Sequence, residues 1–387
     1  MKRTLLSLLL VATLLFCTLS VSANNMLDEI VVECPDDFFL TRATKDIDGT
    51  LILSGCIGRP MQNIPMLIGV GLDGKALWTI TADNYGSSNF YRDVLSIDKD
   101  TIIAIRSARG HSKGWIVECI KNNQTVWEEE IMGDVTGLSL LKDGFFAYGL
   151  SSNRSVFVRK MSISGNIIWH TEFDDPVFPK GLISSNGIHV VYGSKTLYVN
   201  DQSQEPTAAA FALDDDGNLL WQYDGTSHEN LIDAIWEEHD QLVFIGDALS
   251  GKAGDALGTR YLQSFIAKHT DSGFDWKITH EYTKNGQKSE GYAKSLIPTT
   301  TGYLMIAENT FADDVVKFVA FDQIGEMIKH WDMLSLIGRI NAYIPIRNDD
   351  GSYLLILNGK QHSPPKDDVE IYLRKDITTI SILPYLE

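Results

Sequence analysis

The stretch Ala212-Leu213-Asp214-Asp215-Asp216-Gly217-Asn218-Leu219-Leu220-Trp221 decides the fold of this 387-residue chain. It consists of an apolar strand, an acidic turn that ends in glycine, and a second strand that carries tryptophan four residues later. Glycine supplies the positive φ that a tight hairpin turn requires. The stretch therefore predicts a β-hairpin, and the same pattern recurs along the chain.

The turn-and-tryptophan pattern has six copies, and six of the eight tryptophans fall in register within them. In the second copy Asn123 replaces glycine, because asparagine also tolerates positive φ. The copies lie about 50 residues apart, which is the length of a propeller blade. They span 73–78, 123–127, 165–169, 216–221, 271–276 and 325–331. We interpret these tryptophans as packing residues that fill the gap widening outward between radial sheets.

A second pattern, a turn residue followed by a short continuous apolar run, alternates with the first. Its seven copies span 48–53, 100–105, 143–148, 186–192, 240–245, 302–306 and 351–356. Continuous apolar runs predict strands that are buried on both faces. Two hairpins per unit make a four-stranded sheet, so the chain is predicted to be an all-β protein, a β-propeller of seven four-stranded blades. This arrangement leaves few exposed strand edges.

The first 23 residues have the features of a secretory signal peptide. Two basic residues precede an apolar stretch at 5–15, and 21–23 offers small residues for cleavage before Asn24. The alternative interpretation is a membrane anchor, but the apolar stretch is shorter than the roughly 20 residues that a membrane-spanning helix needs. We therefore expect a signal peptide at 1–23 and one propeller domain at 24–387, secreted or located in the periplasm or cell envelope. No membrane insertion is expected after cleavage.

Charge and cysteine content limit the partners further. The formal net charge is -18, which disfavours nucleic acid because that binding depends on phosphate neutralisation by Lys and Arg. Three cysteines follow the signal peptide, namely Cys34, Cys56 and Cys119. Cys34 and Cys56 flank the first predicted hairpin, and they form either a disulfide or a pair of inert thiols. Without a CxxC or Cys/His cluster, we expect no metal site.

The copy at 212–221 resembles the Ala-Leu-Asp…Gly-x-x-x-Trp signature of pyrroloquinoline-quinone-like β-propeller repeats. That family includes quinone-dependent dehydrogenases and many non-enzymatic scaffolds of bacterial envelopes. Its enzymes carry a disulfide between adjacent cysteines, calcium ligands at the axis and eight blades. Here no two cysteines are adjacent and seven units are counted, so we expect no cofactor.

One further copy, at 271–276, resembles the hairpins of another propeller class. It keeps the Asp-x-Gly-x-x-Trp core of the Asp-box hairpins in sialidase-like propellers. His269 and Asp275 stand where Ser and Thr are usual in that pattern. The resemblance implies a structural role for the hairpin.

Function is expected on one face of the propeller, which we call the upper face. It carries the loops between second and third strands and the links between blades, whereas the hairpin turns described above lie on the lower face. Loops on a rigid scaffold commonly carry function. The candidate ligand-binding residues near the mouth of the central channel are Arg92, Asp93, Glu229, Glu290, Tyr292 and Arg339. Such a mixed-charge ring suits a small polar ligand or a sugar.

Two functions remain open from the sequence. The first is a non-enzymatic scaffold that binds a protein or a glycan at the upper face. The alternative is an extracellular carbohydrate-active hydrolase or lyase with acidic residues at the channel mouth, where two carboxyl groups about 5 to 9.5 Å apart are required. The sequence has no Gly-x-Ser-x-Gly elbow and no Gly-rich phosphate loop. We therefore expect binding rather than catalysis and name no catalytic residue.

Overall fold

The structure is a computed structural model, and strands dominate the part of the chain that it describes. The described residues are 30–33, 35, 38–58, 63–82, 89–108, 114–175, 177–195, 198–199, 202–203, 206–237, 241–250, 261–270, 273–284, 287–289, 291–309, 315–333, 339–347, 353–360 and 378–384. Within them we find no helix with the length and apolar character needed to cross a bilayer.

Thirty-two strands are defined in the described residues, and most of them form seven four-stranded antiparallel sheets, the blades. Strand β1 is Ile30–Glu33. Blade 1 contains β2 Phe39–Lys45, β3 Leu51–Ile57, β4 Ile64–Val70 and β5 Ala76–Thr81. Blade 2 contains β6 Tyr91–Ser96, β7 Thr101–Ser107, β8 Gly114–Lys121 and β9 Gln124–Met132. Blade 3 contains β10 Asp134–Leu140, β11 Phe145–Leu150, β12 Val156–Met161 and β13 Ile167–Phe173.

The remaining strands follow the same plan, with two small hairpins added. Blade 4 contains β14 Val177–Ser185, β15 Ile188–Lys195, β18 Thr207–Leu213 and β19 Leu219–Ser227, with the hairpin β16 Tyr198–Val199 and β17 Gln202–Ser203. Blade 5 contains β20 Glu229–Trp236, β21 Leu242–Ser250, β22 Tyr261–Thr270 and β23 Gly273–His280. The hairpin β24 Tyr282–Lys284 and β25 Gln287–Ser289 precedes blade 6. Blade 6 contains β26 Gly291–Thr299, β27 Gly302–Asn309, β28 Val315–Asp322 and β29 Met327–Met333, and blade 7 contains β30 Arg339–Arg347, β31 Tyr353–Lys360 and β32 Thr378–Pro384.

The blades form a closed ring. The first strand of each blade contacts the first strands of its two neighbours, from β2 around to β30 and back to β2, so the first strands are innermost. Strand β1 pairs with β32, with Ile30 opposite Ile382, and completes blade 7 as its fourth strand. A strand from the N-terminal part and strands from the C-terminal part of the chain thus close the ring within one sheet.

The continuous apolar runs become buried second strands, as predicted. All six residues of β11 are buried, and the core lies between blades, where Phe146 of blade 3 packs in one cluster with Phe211 of blade 4. The acids of the turns have a local role. Asp214 Oδ1 accepts hydrogen bonds from the backbone amides of Asp216 at 3.0 Å and Asn218 at 2.7 Å, so this carboxylate stabilises its own hairpin.

The tryptophans hold adjacent blades together. Trp127 of blade 2 donates from Nε1 to the carbonyl oxygen of Ile163 in blade 3 at 3.0 Å. Its ring lies over Gly165, where an added Cβ would come within 2.9 Å of the indole. Gly165 has a φ of +88°, so this position requires glycine for the turn and for the space that the indole occupies.

One prediction about these tryptophans is wrong. In blade 4 Trp221 pairs with Ala212, but in blade 6 the equivalent partner Ala320 pairs with Lys329. Trp331 lies two residues further along β29 and pairs with Phe318. The strand register is counted from the turn, and the sixth copy has two extra residues before its tryptophan. Trp331 is therefore out of register with the others.

Candidate functional site in the central channel

A shift of register occurs in every innermost strand and defines a ring of equivalent positions. In each of the seven first strands the pairing with the second strand slips by one residue, as at a β-bulge. Bulges redirect side chains and are frequent next to functional sites. We call the residue after each slip an axial position. The axial positions are Arg42, Asp93, Gly137, Gly181, Asp233, Ser295 and Ala342.

Asp93 joins blade 2 to blade 3 at its axial position. Its Oδ1 accepts the amide of Val94 on its own strand at 2.9 Å, and its Oδ2 accepts the amide of Leu138 on the next innermost strand at 2.8 Å. Burial raises the pKa of Asp93, while Arg42 and these amides act in the opposite direction. The carboxylate is therefore an acceptor shared between two blades.

Asp233 makes the same joint between blade 5 and blade 6. Its Oδ1 accepts the amide of Ala234 at 2.9 Å, and its Oδ2 accepts the amide of Leu296 at 2.8 Å. Burial again raises its pKa, opposed by the two amides, by Arg42 and by the Tyr192 hydroxyl. Asp93 and Asp233 lie in unrelated stretches of sequence, yet they form the same pair of hydrogen bonds because they occupy equivalent positions in the ring.

Tyrosines from second strands take over this task where the axial residue is glycine. Gly137 lies opposite Tyr148, and Gly181 lies opposite Tyr192. A Cβ on either glycine would collide with the tyrosine hydroxyl, so the missing side chain lets each phenol pass toward the axis. Tyr192 donates to Asp233 Oδ1 at 3.2 Å and so joins blade 4 to blade 5.

Arg42 supplies the positive charge of this ring. Its side chain is accessible to solvent, and the protein surrounds it closely enough that burial opposes its charge. The fields of Asp93, Tyr148, Tyr192 and Asp233 outweigh burial, so the pKa of Arg42 is raised. One guanidinium from blade 1 therefore acts electrostatically on groups of blades 2 to 5 inside a solvent-accessible channel.

The predicted residue Arg92 binds the neighbouring blade. Its Nη1 donates to Asp134 Oδ1 at 2.5 Å and to the carbonyl oxygen of Val135 at 2.7 Å. The guanidinium carbon lies 3.7 Å from the ring centroid of Trp115 and 5.7 Å from that of Phe90. Both Nη1 of Arg92 and the face of its guanidinium group thus contact other groups of the protein.

The predicted residue Glu229 is held by its own blade. Lys277 Nζ lies 2.5 Å from Glu229 Oε1, and the same ammonium stands 4.1 Å from the ring centroid of Phe265. Tyr292 is half-buried at the start of β26, with the ammonium of Lys294 5.7 Å from its ring centroid. Neither residue is grouped with Asp93 by any contact of the described residues.

Two predicted residues lie outside what the structure describes in detail. Glu290 falls outside the described residues. Arg339 starts β30 opposite Lys360, and its side chain lies outside the described part. Cys56 is buried and Cys34 lies outside the described residues, so the disulfide stays a prediction.

We call Arg42, Asp93, Tyr148, Tyr192 and Asp233 the channel group, and sequence reasoning missed most of it. Of the candidates whose side chains the structure describes, only Asp93 belongs to this group, and its other four members were not named from the sequence. An alignment of the seven innermost strands contains one signal for this group. Gly137 and Gly181 occupy axial positions where the other five strands have a residue with a side chain. The bulges that bring these positions together have no signature in the sequence.

A further buried acid lies near the upper face, between blades 5 and 6. Asp247 Oδ1 accepts the amide of Ala293 at 2.7 Å and the hydroxyl of Ser264 at 3.5 Å. Burial raises the pKa of Asp247 to about 7, although the amide and the charges of Lys294 and Lys180 oppose this rise. Among the residues with a described position, no three His, Cys, Asp or Glu side chains form a group that could hold a metal ion.

Comparisons with known proteins identify the fold. No family model matches this chain, and neither does any curated protein. A chain of the "Crystal Structure of Mitotic Checkpoint Complex" is similar over 94% of this chain and 93% of that chain, with a TM-score of 0.55 and 11% identity. The "Structure of the Neurospora crassa Pan2 WD40 domain" is similar over 90% of each chain, with a TM-score of 0.53 and 10% identity.

The chain is a β-propeller.

A third propeller in the comparison is the "Europium-containing methanol dehydrogenase", which covers 86% of this chain and 81% of its own, with a TM-score of 0.45 and 10% identity. At identities this low, similarity shows the fold alone. The propeller scaffold is thus established, and its function must be argued from its own residues.

Proposed function

We propose that this propeller is an exported, non-enzymatic scaffold that binds a protein ligand on its upper face around the channel mouth. The proposal rests on one observation: two charged residues expected at the channel mouth already form ion pairs within the protein. Arg92 is bound by Asp134 and Glu229 by Lys277. A hydrolase requires carboxyl groups that are free to meet a substrate, whereas a rigid scaffold requires its charges to hold the loops in place.

The architecture supports a protein as the ligand class to test first. Axial joints link the innermost strands of blades 2 and 3 and of blades 5 and 6, and Tyr192 links blade 4 to blade 5. The upper loops of these blades are thus held on a preorganised base, which lowers the free-energy cost of binding. A related fold occurs in a chain of the structure titled Mitotic Checkpoint Complex. We also infer that the repeats are of the pyrroloquinoline-quinone-like type without the cofactor, because the tryptophan of one blade packs on the glycine turn of the next.

The test combines export, catalysis and binding on the full chain. Mass spectrometry of the mature protein is expected to find Asn24 as the first residue. A panel of polysaccharides is expected to release no reducing ends, and a glycan array is expected to give no saturable signal. Cross-linking through cysteines introduced at Gln202 on the upper face, with Asp143 on the lower face as the matched position, is expected to capture a partner from the upper position only.

An alternative function, a carbohydrate-active hydrolase, is favoured by one observation. Asp247 has a pKa raised to about 7, which suits a general acid at neutral pH. Release of reducing ends that Asp247→Asn abolishes and Asp275→Asn leaves intact would replace the scaffold proposal. Saturable glycan binding without turnover would keep the scaffold and change its ligand class.

A further inference from the structure

The fourth strands carry a second regular feature, on the lower edge of the propeller. In each fourth strand of blades 1 to 6 the pairing slips by one residue early in the strand, which bulges one residue outward. In five blades the bulged residue is a large aliphatic one with a highly exposed side chain. These residues are Leu77 at 59%, Val126 at 60%, Ile168 at 52%, Leu220 at 49% and Ile328 at 60% exposure.

In blades 3, 4 and 6 the residue one position before the bulged one, Ile167, Leu219 or Met327, is exposed as well. We call the part of this feature that lies in blades 4 to 6 the lower-rim sector. It consists of 219–220 in blade 4, 274–275 in blade 5 and 327–328 in blade 6. Leu219 and Met327 are exposed as well as the bulged residues beside them. Two exposed aliphatic pairs therefore flank blade 5. Exposed apolar surface of this kind commonly marks a site of interaction with another protein.

The sector is also acidic. In blade 5 the bulged residue is the exposed Asp275, the one acid at a position where the described neighbouring blades carry an aliphatic residue. The turns that lead into the fourth strands of blades 4 and 6 add the exposed acids Asp216 and Glu326, and Lys329 follows the sector in blade 6. Asp215 is exposed as well, but its Oδ1 already lies 3.1 Å from His189 Nε2 and 3.5 Å from Lys160 Nζ. An acid between two aliphatic pairs complements a basic residue between two aliphatic ones.

The packing beneath the sector makes it rigid. Trp221 of blade 4 stacks on His269 of blade 5, with ring centroids 4.9 Å apart. Trp276 of blade 5 packs on Gly325 of blade 6, where an added Cβ would meet the indole at 2.6 Å. The fourth strands of blades 4 and 5 are thus each packed against the next blade, so we expect a partner to bind them with little rearrangement.

We propose that the lower-rim sector binds a protein partner that presents lysine or arginine between aliphatic side chains. The two aliphatic pairs supply apolar area, and Asp275 selects the basic partner residue. This surface lies on the side of the propeller opposite to the upper loops and is independent of the ligand proposed for them.

The probe is a helical amphipathic peptide of leucine and lysine, with a leucine and glutamate peptide of equal length as its counterpart. Fluorescence anisotropy with the mature chain is expected to show saturable binding of the lysine peptide. The double variant L220S/I328S is expected to weaken binding at least ~10-fold, the equivalent of losing two aliphatic contacts. Asp275→Lys is expected to weaken it to a similar degree.

The matched control is L77S/V126S, which removes aliphatic residues of similar exposure at the same bulge in blades 1 and 2. It is expected to leave the affinity unchanged. Equal weakening by both double variants, equal binding of the glutamate peptide, or no saturable binding would overturn the proposal. Self-association in sedimentation velocity that L220S/I328S abolishes would also overturn it, because the occupant would then be a second copy of this chain.

Discussion

Trp169 of blade 3 packs against Gly217 of blade 4. The indole donates from Nε1 to the carbonyl oxygen of Asp215 at 2.8 Å, and a Cβ on Gly217 would approach the ring to 2.8 Å. Gly217 has a φ of +84°. The glycine of one repeat and the tryptophan of the previous repeat are therefore two halves of one contact, which explains why they recur together.

The first prediction concerns this glycine. Gly217→Ala places a Cβ in a left-handed conformation and against the indole, so we expect a loss of about 2–4 kcal/mol from strain and crowding together. Urea unfolding of the mature chain measures it. Gly71→Ala is the control, because there the one close contact of the added Cβ is with the end of the flexible Asp73 side chain. Equal stability of the two variants would contradict the account of the repeat.

The second prediction concerns the axial joints. Asp93→Ala leaves the amide of the buried Leu138 without its acceptor, and we expect a loss of about 1–3 kcal/mol in the free energy of unfolding. Asp143→Ala, at an exposed turn acid, is expected to stay within about 0.5 kcal/mol of the parent. Chemical denaturation followed by tryptophan fluorescence compares the two variants.

The third prediction tests the charge coupling within the channel. Arg42→Met and Asp93→Ala remove interacting groups, so their effects on stability are expected to be non-additive by about 0.5–3 kcal/mol. A double-mutant cycle measures the interaction energy. Strict additivity would show that the guanidinium and the carboxylate do not act on each other, and the channel group would then have to be divided.

The fourth prediction is a pH dependence with a definite sign. The pKa of Asp247 is about 7 in the folded protein and about 3.9 in an unfolded chain. Between these values the folded state binds more protons, so the contribution of Asp247 to stability is fully present below pH 4 and is lost as the pH rises to 7. Urea unfolding at pH 4 to 7.5 is expected to show this decline in the parent and a flatter profile in Asp247→Asn. Equal slopes would contradict it.

The fifth prediction concerns the buried thiol. Burial raises the pKa of Cys56 to about 11, so at pH 8 the native protein is expected to react with Ellman's reagent at this residue far more slowly than the unfolded protein. Peptide mapping without reductant tests the bridge to Cys34. A linked Cys34–Cys56 peptide would establish the disulfide, and fast native labelling of Cys56 would contradict its burial.

Much of the fold follows from local chemistry that is visible in the sequence. The Asp-rich turns, the glycines with positive φ and the apolar runs each act within one hairpin, so the copy at 212–221 predicts its own structure. The count of seven units follows from repetition of the pattern. Trp331 shows the limit of this reasoning, because its register depends on the distance from the turn and not on the presence of the residue.

The sequence by itself determined the repeating hairpins and the number of blades, because turn chemistry and strand burial depend on neighbouring residues. Only the tertiary structure decided which side chains meet at the axis. Arg42, Asp93 and Asp233 are distant in the chain, and ring closure together with a bulge in every innermost strand brings them into one channel. The tertiary structure likewise decided that Arg92 and Glu229 are bound by the protein itself, since their partners Asp134 and Lys277 belong to other strands.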